Sequence, residues 1–358
     1  MLLHIFPSFS FGGQQARLAT LARALGPDYH HEIVALDGET NASALFDDTV
    51  SVSFSAIAMK KTRGFDVGNI LRLRRKIREM SPDLLCTYNW GAIEAVIANR
   101  MGRLAPHIHF EDGFGLGESL EKQKRRRVLA RRILLRDARV VVPSNGLEAL
   151  ARDQWKLRNV TRLSNGVDFD LFQVEQRKPP SSVVVGSIGA LRPEKNYARL
   201  IIAFQTADRQ KQAALEIFGD GPARAQLALM GSGDERILLP GHTSTSAQAY
   251  ARFDIFALSS DTEQAPMTVL EAMAAGLPIV STNVGDIADM VADDNAPYIT
   301  PLGDDEAYGH ALAQLLQNPS ARAAIGAANK VKVREAFTLS HMAEAHRTLY
   351  LATMSAHD

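Results

Sequence analysis

Two carboxylates stand eight positions apart in the stretch SSDTEQAPMTVLEAMAAGLPIV, Ser259 to Val280: Glu263 in a polar run and Glu271 within an apolar one. Ile255 to Leu258 reads as a buried strand, so Ser259 to Pro266 is the loop leaving its carboxyl end. Pro266 suits a helix start, where its missing N–H is not needed. Gly276 and Pro278 end the helix expected over Thr268 to Ala275. The backbone N–H groups of Thr268, Val269 and Leu270, with Met267 before them, then stand at a helix start that suits phosphate. About one turn in, Glu271 can accept hydrogen bonds from vicinal hydroxyls, as on a ribose. Glu263 can do the same for a second hydroxylated group across the phosphates. The plainer alternative is a first-turn acid favoured by the helix dipole and a solvated loop acid.

Two further loops carry compatible chemistry. GSIGALRPEKN, Gly186 to Asn196, leaves a strand and enters a helix. It holds Gly189 for close backbone approach, and Arg192 and Lys195 for a diphosphate, one as a bidentate fork and one as a point charge. A solvated charged loop is the alternative. PSFSFGGQQ, Pro7 to Gln15, follows the first strand, and the N–H groups of Gly12 and Gly13 sit at a helix start. A tight turn would explain a lone Gly-Gly equally well. Neither loop has the G-x-G-x-x-G spacing of a dinucleotide fingerprint.

These loops need strands to hold them. Short apolar strands alternate with helical stretches, at Leu2 to Phe6, His31 to Leu36, Leu84 to Thr87, His107 to Phe110 and Arg139 to Val142. Helices are expected over Gln14 to Leu25, Val67 to Met80 and Ala92 to Arg103. Gln173 to Ser182 is polar, contains Pro179-Pro180 and reads as a linker. The alternation then restarts, with strands at Val183 to Ile188, Leu215 to Phe218, Ile237 to Leu239, Ile255 to Leu258, Pro278 to Ser281 and Tyr298 to Thr300, and a helical stretch from Asp304 to Ala352. Strands apolar on both sides and separated by helices imply parallel sheets covered on both faces. The pattern is α/β: two doubly wound domains joined near residue 175. In such folds ligands sit at the carboxyl ends of the strands, and two such edges facing each other would form a cleft.

Composition narrows the class. The chain of 358 residues exceeds one ordinary core. Lysine plus arginine equals aspartate plus glutamate, 40 each, so nucleic acid or membrane would need a local patch. The single cysteine, Cys86, lies in a strand-like run, reads as a core residue and fits a reducing compartment. Met1 to Pro7 lacks the basic start and long apolar region of a signal peptide. No apolar run reaches the roughly 18 residues a membrane span needs. A cytoplasmic protein is expected.

Glu263 to Gly285, EQAPMTVLEAMAAGLPIVSTNVG, resembles the Glu-x7-Glu signature of the retaining glycosyltransferases of family 4 (glycosyl transferases group 1). FGGQQ at Phe11 to Gln15, SNGVD at Ser164 to Asp168, LRPEKN at Leu191 to Asn196 and GDGP at Gly219 to Pro222 match in the same order, so the resemblance spans nearly the whole chain. It implies the GT-B fold, two Rossmann-like doubly wound domains facing across a cleft. Residues 1–172 would form the acceptor-side domain, with a C-terminal helix at about 340–358 returning to it, and residues 173–339 the nucleotide-sugar domain. It also implies transfer of a sugar from an NDP-sugar, UDP or GDP, to a glycan or lipid-linked acceptor with retained anomeric configuration, in cell-surface polysaccharide or glycolipid assembly. No metal or permanently bound cofactor is implied. By the motif, Glu271 holds the ribose hydroxyls and Glu263 the transferred sugar. Arg192 and Lys195 stabilise the leaving diphosphate. Met267, Thr268, Val269 and Leu270 meet phosphate, Gly13 approaches it, and backbone near Gly241 and His242 reads the base. One departure is HFEDGFG, where Asp112 stands at the family's customary His, near His109 and Glu111; the resemblance implies a catalytic place on the acceptor side, where a carboxylate would position the acceptor or stabilise a cationic sugar.

EKQKRRRVLARRILLRDAR, Glu121 to Arg139, is strongly basic. As a helix it would place Val128, Leu129, Ile133, Leu134 and Leu135 on an apolar side, flanked by Arg125 to Arg127, Arg131 and Arg132. Arg72 to Arg78 is a second basic cluster. Such a helix either faces a core with solvated arginines or lies on anionic lipid. Rival readings are a nucleotide-sugar 2-epimerase, a dehydrogenase, whose fingerprint is absent, and a non-catalytic nucleotide-sugar-binding subunit. Nucleic acid has no reader motif here.

Overall fold

The computed structural model describes residues 1–60, 64–114, 118, 120, 122–173, 182–208, 210, 212–243 and 245–356. The chain divides into two compact units, Met1–Asn165 with Leu339–Asp358, and Gly166–Thr338.

In unit 1 the order is β1 Leu2–Phe6, α1 Gly13–Leu25, β2 His31–Ala35, β3 Val52–Ala56, α2 Val67–Met80, β4 Leu84–Tyr88, α3 Ile93–Arg100, β5 His107–Phe110, α4 Arg125–Leu134, β6 Arg139–Val142, α5 Asn145–Asp153 and β7 Val160–Arg162. The strands form one seven-stranded sheet in the order β3-β2-β1-β4-β5-β6-β7, and every pairing is parallel. β1, β2 and β4 are buried along their whole length, as expected when crossover helices cover both faces. β3 and β7 were missed in the sequence. β3, VSFSA, is an edge strand in which Phe54 and Ala56 face outward and two serines interrupt the apolar run, and β7 has only three residues, so neither carries a solid apolar run.

Unit 2 runs β8 Val183–Ile188, α6 Tyr197–Ala207, β9 Ala213–Phe218, α7 Arg224–Met230, β10 Ile237–Gly241, α8 Ser246–Tyr250, β11 Ile255–Leu258, α9 Met267–Ala274, β12 Ile279–Thr282, α10 Ile287–Met290, β13 Ile299–Thr300, α11 Asp305–Gln317 and α12 Pro319–Ala336. Its six-stranded sheet has the order β10-β9-β8-β11-β12-β13, again wholly parallel.

The last helix, α13 Leu339–Met354, belongs to unit 1. Its Met342, Leu349 and Tyr350 pack with Leu2, Phe6, Leu18 and Leu21, and His346 stacks on Phe110. The expected helical stretch 304–352 is therefore three helices. Asn318 caps α12 through Ala321 N–H, and Pro319 occupies its first turn. The boundary between the units falls at 165/166, not 172/173. Val167 pairs in parallel with Thr338, and Phe172 packs on Tyr250, which ties residues 166–172 to unit 2. The expected linker falls mostly at residues 174–181, outside the described residues.

Candidate active site

In unit 2 the chain winds from β8 toward β10 and then returns to lay β11 on the other side of β8. The switch point lies between β8 and β11, where doubly wound sheets bind ligands. The loops leaving these two strands carry Lys195 and Glu263. Lys195 Nζ donates to Glu263 Oε1 at 2.5 Å, and Ser260 Oγ donates to the same oxygen at 2.7 Å. Ser259 Oγ donates to the Lys195 carbonyl at 2.9 Å, and Asp261 N–H to the Glu194 carbonyl at 2.8 Å, so the loops are bonded directly to each other.

Beneath them, the buried Arg199 guanidinium donates to Ser259 O, Asp261 Oδ1 and Asp305 Oδ1 at 2.7, 2.8 and 2.6 Å. Gly285 fixes the far side of the Glu263 loop. Its φ is +60°, and a Cβ there would lie 2.2 Å from the Gln264 carbonyl oxygen, so only glycine fits. The GDGP segment braces the other loop: Gly189 N–H donates to Phe218 O at 3.0 Å and Leu191 N–H to Asp220 O at 2.9 Å. Arg192 is exposed and has no ion-pair partner among the described residues. A hollow of about 1560 Å³ along α6 and α11 touches neither Glu263 nor Glu271.

α9 begins one residue earlier than expected, at Met267 after Pro266. The N–H of Val269 is already bonded to the Pro266 carbonyl at 3.2 Å. That corrects the expected trio of donors: the first-turn N–H groups without a described partner include Met267 and Thr268, whereas Val269 is engaged. Val269 and Leu270 are fully buried.

Glu271 follows one turn in. Its Oε2 accepts from the Tyr250 hydroxyl at 2.8 Å, and the same hydroxyl lies 3.1 Å from Thr268 O. Part of Glu271 reaches the surface, but its carboxyl is enclosed. Burial pushes its pKa up to about 7, against the opposing pull of the Tyr250 hydrogen bond. Gly241 ends β10 with φ +95° and exposed His242 follows it; the Gly241 carbonyl accepts from Gly219 N–H at 2.8 Å. Tyr250 and Arg199 were not singled out from the sequence. Each sits in a helix where its residue type reads as ordinary, and its partners come from distant parts of the chain: α9 for Tyr250, and the loop after β11 and the start of α11 for Arg199.

Unit 1 has its own switch point, between β1 and β4. Gly12 and Gly13 stand exposed at the start of α1. Gly12 is extended, with φ −174°, and a side chain on Gly13 would meet nothing. Packing therefore does not require glycine at Gly13.

Asp112, after β5, is bound bidentately by Arg17, with Nη2–Oδ2 at 2.7 Å, and also accepts from Gln14 Nε2. Arg17 Nη1 reaches Asn165 Oδ1 at 3.3 Å. Burial works against the Arg17 charge, but Asp112 outweighs it and holds its pKa above the ordinary value. Asp112 was expected to be a catalytic residue facing the acceptor. Its two oxygens are instead both engaged and its side chain is 10% exposed, so it positions α1 rather than offering a free base. Asn89 completes the network, accepting from Asp112 N–H at 2.8 Å and donating to Gln14 Oε1 at 3.1 Å. It has φ 55° and ψ 176°, a region all but reserved for glycine. Holding it there costs on the order of 1–3 kcal/mol.

The neighbouring residues also differ from expectation. His109 and Glu111 are fully buried. Glu111 pairs with Arg131 at 2.8 Å and lies 3.2 Å from His109 Nε2. Burial alone would raise the Glu111 carboxyl, but Arg131 and His109 hold it below the usual range. Arg131 is 1% exposed and its guanidinium lies 4.6 Å from the Trp155 ring and 5.2 Å from that of Trp90. It therefore does not flank an exposed apolar side of α4. The partition is reversed: Leu135 is buried, while Leu129 and Ile133 are 56% and 53% exposed. With 100° per residue, they share the outer face with exposed Arg125, Arg126 and Arg132.

The profile described as "Glycosyl transferases group 1" matches residues 168–332, and that described as "Glycosyl transferase 4-like domain" matches residues 12–166. Together they account for all but the two ends of the chain and residue 167. The chain belongs to the family 4 type of glycosyltransferases. Among family relatives, the N-acetyl-alpha-D-glucosaminyl L-malate synthase of Bacillus anthracis is 25% identical over 48% of this chain and 45% of its own length. The GDP-mannose-dependent alpha-mannosyltransferase of Mycobacterium tuberculosis is 29% identical over 66% and 64%. The matched part thus spans about half the length of the curated relatives. Among solved structures, Anabaena HepE in complex with UDP and glucose is 18% identical over 97% of this chain and 98% of that one, with a TM-score of 0.79. Sucrose-phosphate synthase from Thermosynechococcus elongatus is 17% identical over 99% and 100%, with a TM-score of 0.80. The fold is accordingly of the GT-B class, with two parallel-sheet Rossmann-like domains.

Proposed function

We propose that this family 4 chain is a retaining glycosyltransferase that moves a sugar from a UDP- or GDP-sugar to a glycan or lipid-linked acceptor. The observation that carries the reading is the Lys195–Glu263 pair at the unit 2 switch point, in the loop that leads into α9 and on to Glu271. A nucleotide sugar presents ribose hydroxyls, a diphosphate and sugar hydroxyls in sequence. Glu271 with Tyr250 suits the ribose. Lys195, Arg192 and the start of α9 suit the diphosphate, and Glu263 suits the transferred sugar. The anomeric C–O bond to the diphosphate breaks and its electrons go to the leaving phosphate oxygen, where Lys195 and Arg192 meet the growing charge. The acceptor hydroxyl then bonds to the anomeric carbon on the face the diphosphate left, and its proton passes to the departing phosphate oxygen.

The donor choice draws support from relatives: one is named for GDP-mannose and one solved structure holds UDP and glucose. For the acceptor side, we infer that the part of the outer face of α4 carrying Leu129, Ile133, Arg125 and Arg132 rests on anionic lipid, each of these arginines contributing about 1 kcal/mol near the surface. No described helix is long and apolar enough to cross a membrane.

A thermal-shift screen with UDP, GDP, ADP, dTDP and their sugars tests the donor. A ligand at a hundred times its Kd adds about 2.7 kcal/mol. One base should stabilise the protein, and the product of its sugar nucleotide should keep the donor's anomeric configuration by NMR. Absence of any nucleotide shift, or an inverted product, would sink the reading.

A further inference from the structure

Unit 1 contains a cavity of about 730 Å³ at the carboxyl ends of its strands, within the size range of small-molecule sites. Its walls come from the loops after β1, β2, β3 and β4 and from one edge of α4. Trp90 and Phe65 face it with ring centroids 6.2 Å apart, and Ile57, Met59 and Ile93 extend the apolar lining.

The strained Asn89 immediately precedes Trp90. Gly91 follows, and a Cβ there would lie 2.5 Å from the Pro7 ring, so the loops after β1 and β4 close up only around glycine. The fold thus holds a half-buried tryptophan into a cavity at an energetic cost, which is the pattern of a site rather than of packing.

The charges of the lining point one way. Glu94 is already engaged, one oxygen accepting from Asp66 N–H at 2.6 Å and the other from Asn69 Nδ2 at 3.2 Å. Asp37 accepts from Glu39 N–H at 3.0 Å within its own turn. Arg127 pairs with Glu118 and covers Trp90. The side chains of Lys60 and Arg126 are exposed and have no ion-pair partner among the described residues. Buried Asn69 grips the Lys60 backbone by both its N–H and its carbonyl, at 2.9 and 3.0 Å, so that cation is held at the rim.

We propose that this cavity is the acceptor site and that it selects a sugar ring bearing an anionic group. The ring lies against Trp90 and Phe65, and a phosphate or carboxylate meets Arg126 and Lys60. The assignment rests on the transferase reading for the word acceptor, but the binding chemistry stands apart from it.

The chain has two tryptophans, and Trp155 is fully buried, so Trp90 emission reports on the cavity. Titrations with glucose 1-phosphate, glucuronate, methyl α-glucoside and inorganic phosphate should give saturable emission changes with the first two. The neutral glycoside and phosphate alone should bind at least tenfold more weakly. Arg126→Ala and Lys60→Ala should each weaken the anionic sugars about tenfold without changing the neutral one, and Trp90→Phe should remove the signal while the far-UV circular dichroism stays unchanged.

Equal binding of anionic and neutral sugars would overturn the proposal. So would equal binding of phosphate alone, no saturable change, or indifference to Arg126→Ala. A nucleotide-induced thermal shift in the same preparation separates the two claims. Nucleotide binding without sugar-phosphate binding defeats this inference alone. Sugar-phosphate binding with no nucleotide shift defeats the transferase reading and leaves the cavity an anionic-sugar site.

Discussion

Lys195 and Glu263 are bonded to each other, yet the proposed reaction asks each for a different partner, phosphate for one and sugar hydroxyl for the other. An ammonium has three donors and a carboxylate several acceptor sites, so donor binding can add both contacts while the pair persists. Lys195→Ala and Glu263→Gln are each expected to lower turnover by about 10²–10³-fold, the scale of one lost transition-state contact. The double variant should lose clearly less than the product of the two, because its members share one interaction. Independent, multiplicative losses in steady-state kinetics would show that the pair is not a unit.

Glu271 gives a second expectation. Its carboxyl moves from an ordinary 4.5 to about 7 on folding, so the folded chain holds that proton more tightly. The contribution to stability is complete below about pH 4.5 and lost as pH rises to about 7. Glu271→Gln should therefore stabilise the fold at pH 8 by on the order of 1–3 kcal/mol, seen as a raised Tm, and leave Tm nearly unchanged at pH 4. The same substitution should weaken nucleotide binding, and the gain in wild-type affinity from pH 6 to pH 8 should vanish in it. Calorimetric titration at both pH values checks this. Lys195, Glu263 and Glu271 were legible as candidates from loop chemistry and from the Glu-x7-Glu resemblance, and the structure adds that Lys195 and Glu263 are bonded to each other. Asp112 was legible as a position but not as a role, since nothing local predicts that Arg17, a residue of α1, takes both its oxygens.

At the scale of elements, α4 shows how far a pattern can be read. Its basic and apolar content was plain in the sequence, but the assignment of faces was not. An arginine at Arg131 looks like surface until Glu111, which the fold brings from the end of β5, neutralises it inside the core. The two faces should separate by mutation. Leu129→Ser with Ile133→Ser should abolish co-sedimentation with anionic liposomes at low salt and leave Tm unchanged. Arg131→Ala should leave Glu111 buried without its partner and lose about 3–5 kcal/mol in urea unfolding. Liposome binding that survives the first change would remove the membrane role from this helix. The strands obeyed the same logic: solid apolar runs such as LLHIF and VVVGSI were found to the residue, whereas the serine-bearing edge strand β3 was not, because an edge exposes one face.

Taken whole, the molecule places its buried histidines unequally. His4, His31 and His346 are buried in unit 1 and His107 is half-buried there, and desolvation lowers each, His31 and His346 to about 4 and His107 to about 3. Their folded pKa values lie below the ordinary 6.5, so the stability they permit is complete above pH 6.5 and lost as pH falls toward 4. Unit 1 should unfold first in acid. Between pH 6.5 and 4, calorimetry should resolve two transitions with only the first moving steeply; a single coincident transition would contradict this. The twofold α/β alternation was readable from the chain, but the boundary was not, because residues 166–172 look like a tail of the first half until Val167 pairs with Thr338. That pairing has a genealogical consequence. Unit 2 enters and leaves its own fold at neighbouring points, with Val167 N–H bonded to Phe337 O at 2.9 Å. Unit 2 is thus a cassette set into an uninterrupted host, one that a gene could acquire, exchange or shed at a single locus without threading a strand through the sheet of unit 1.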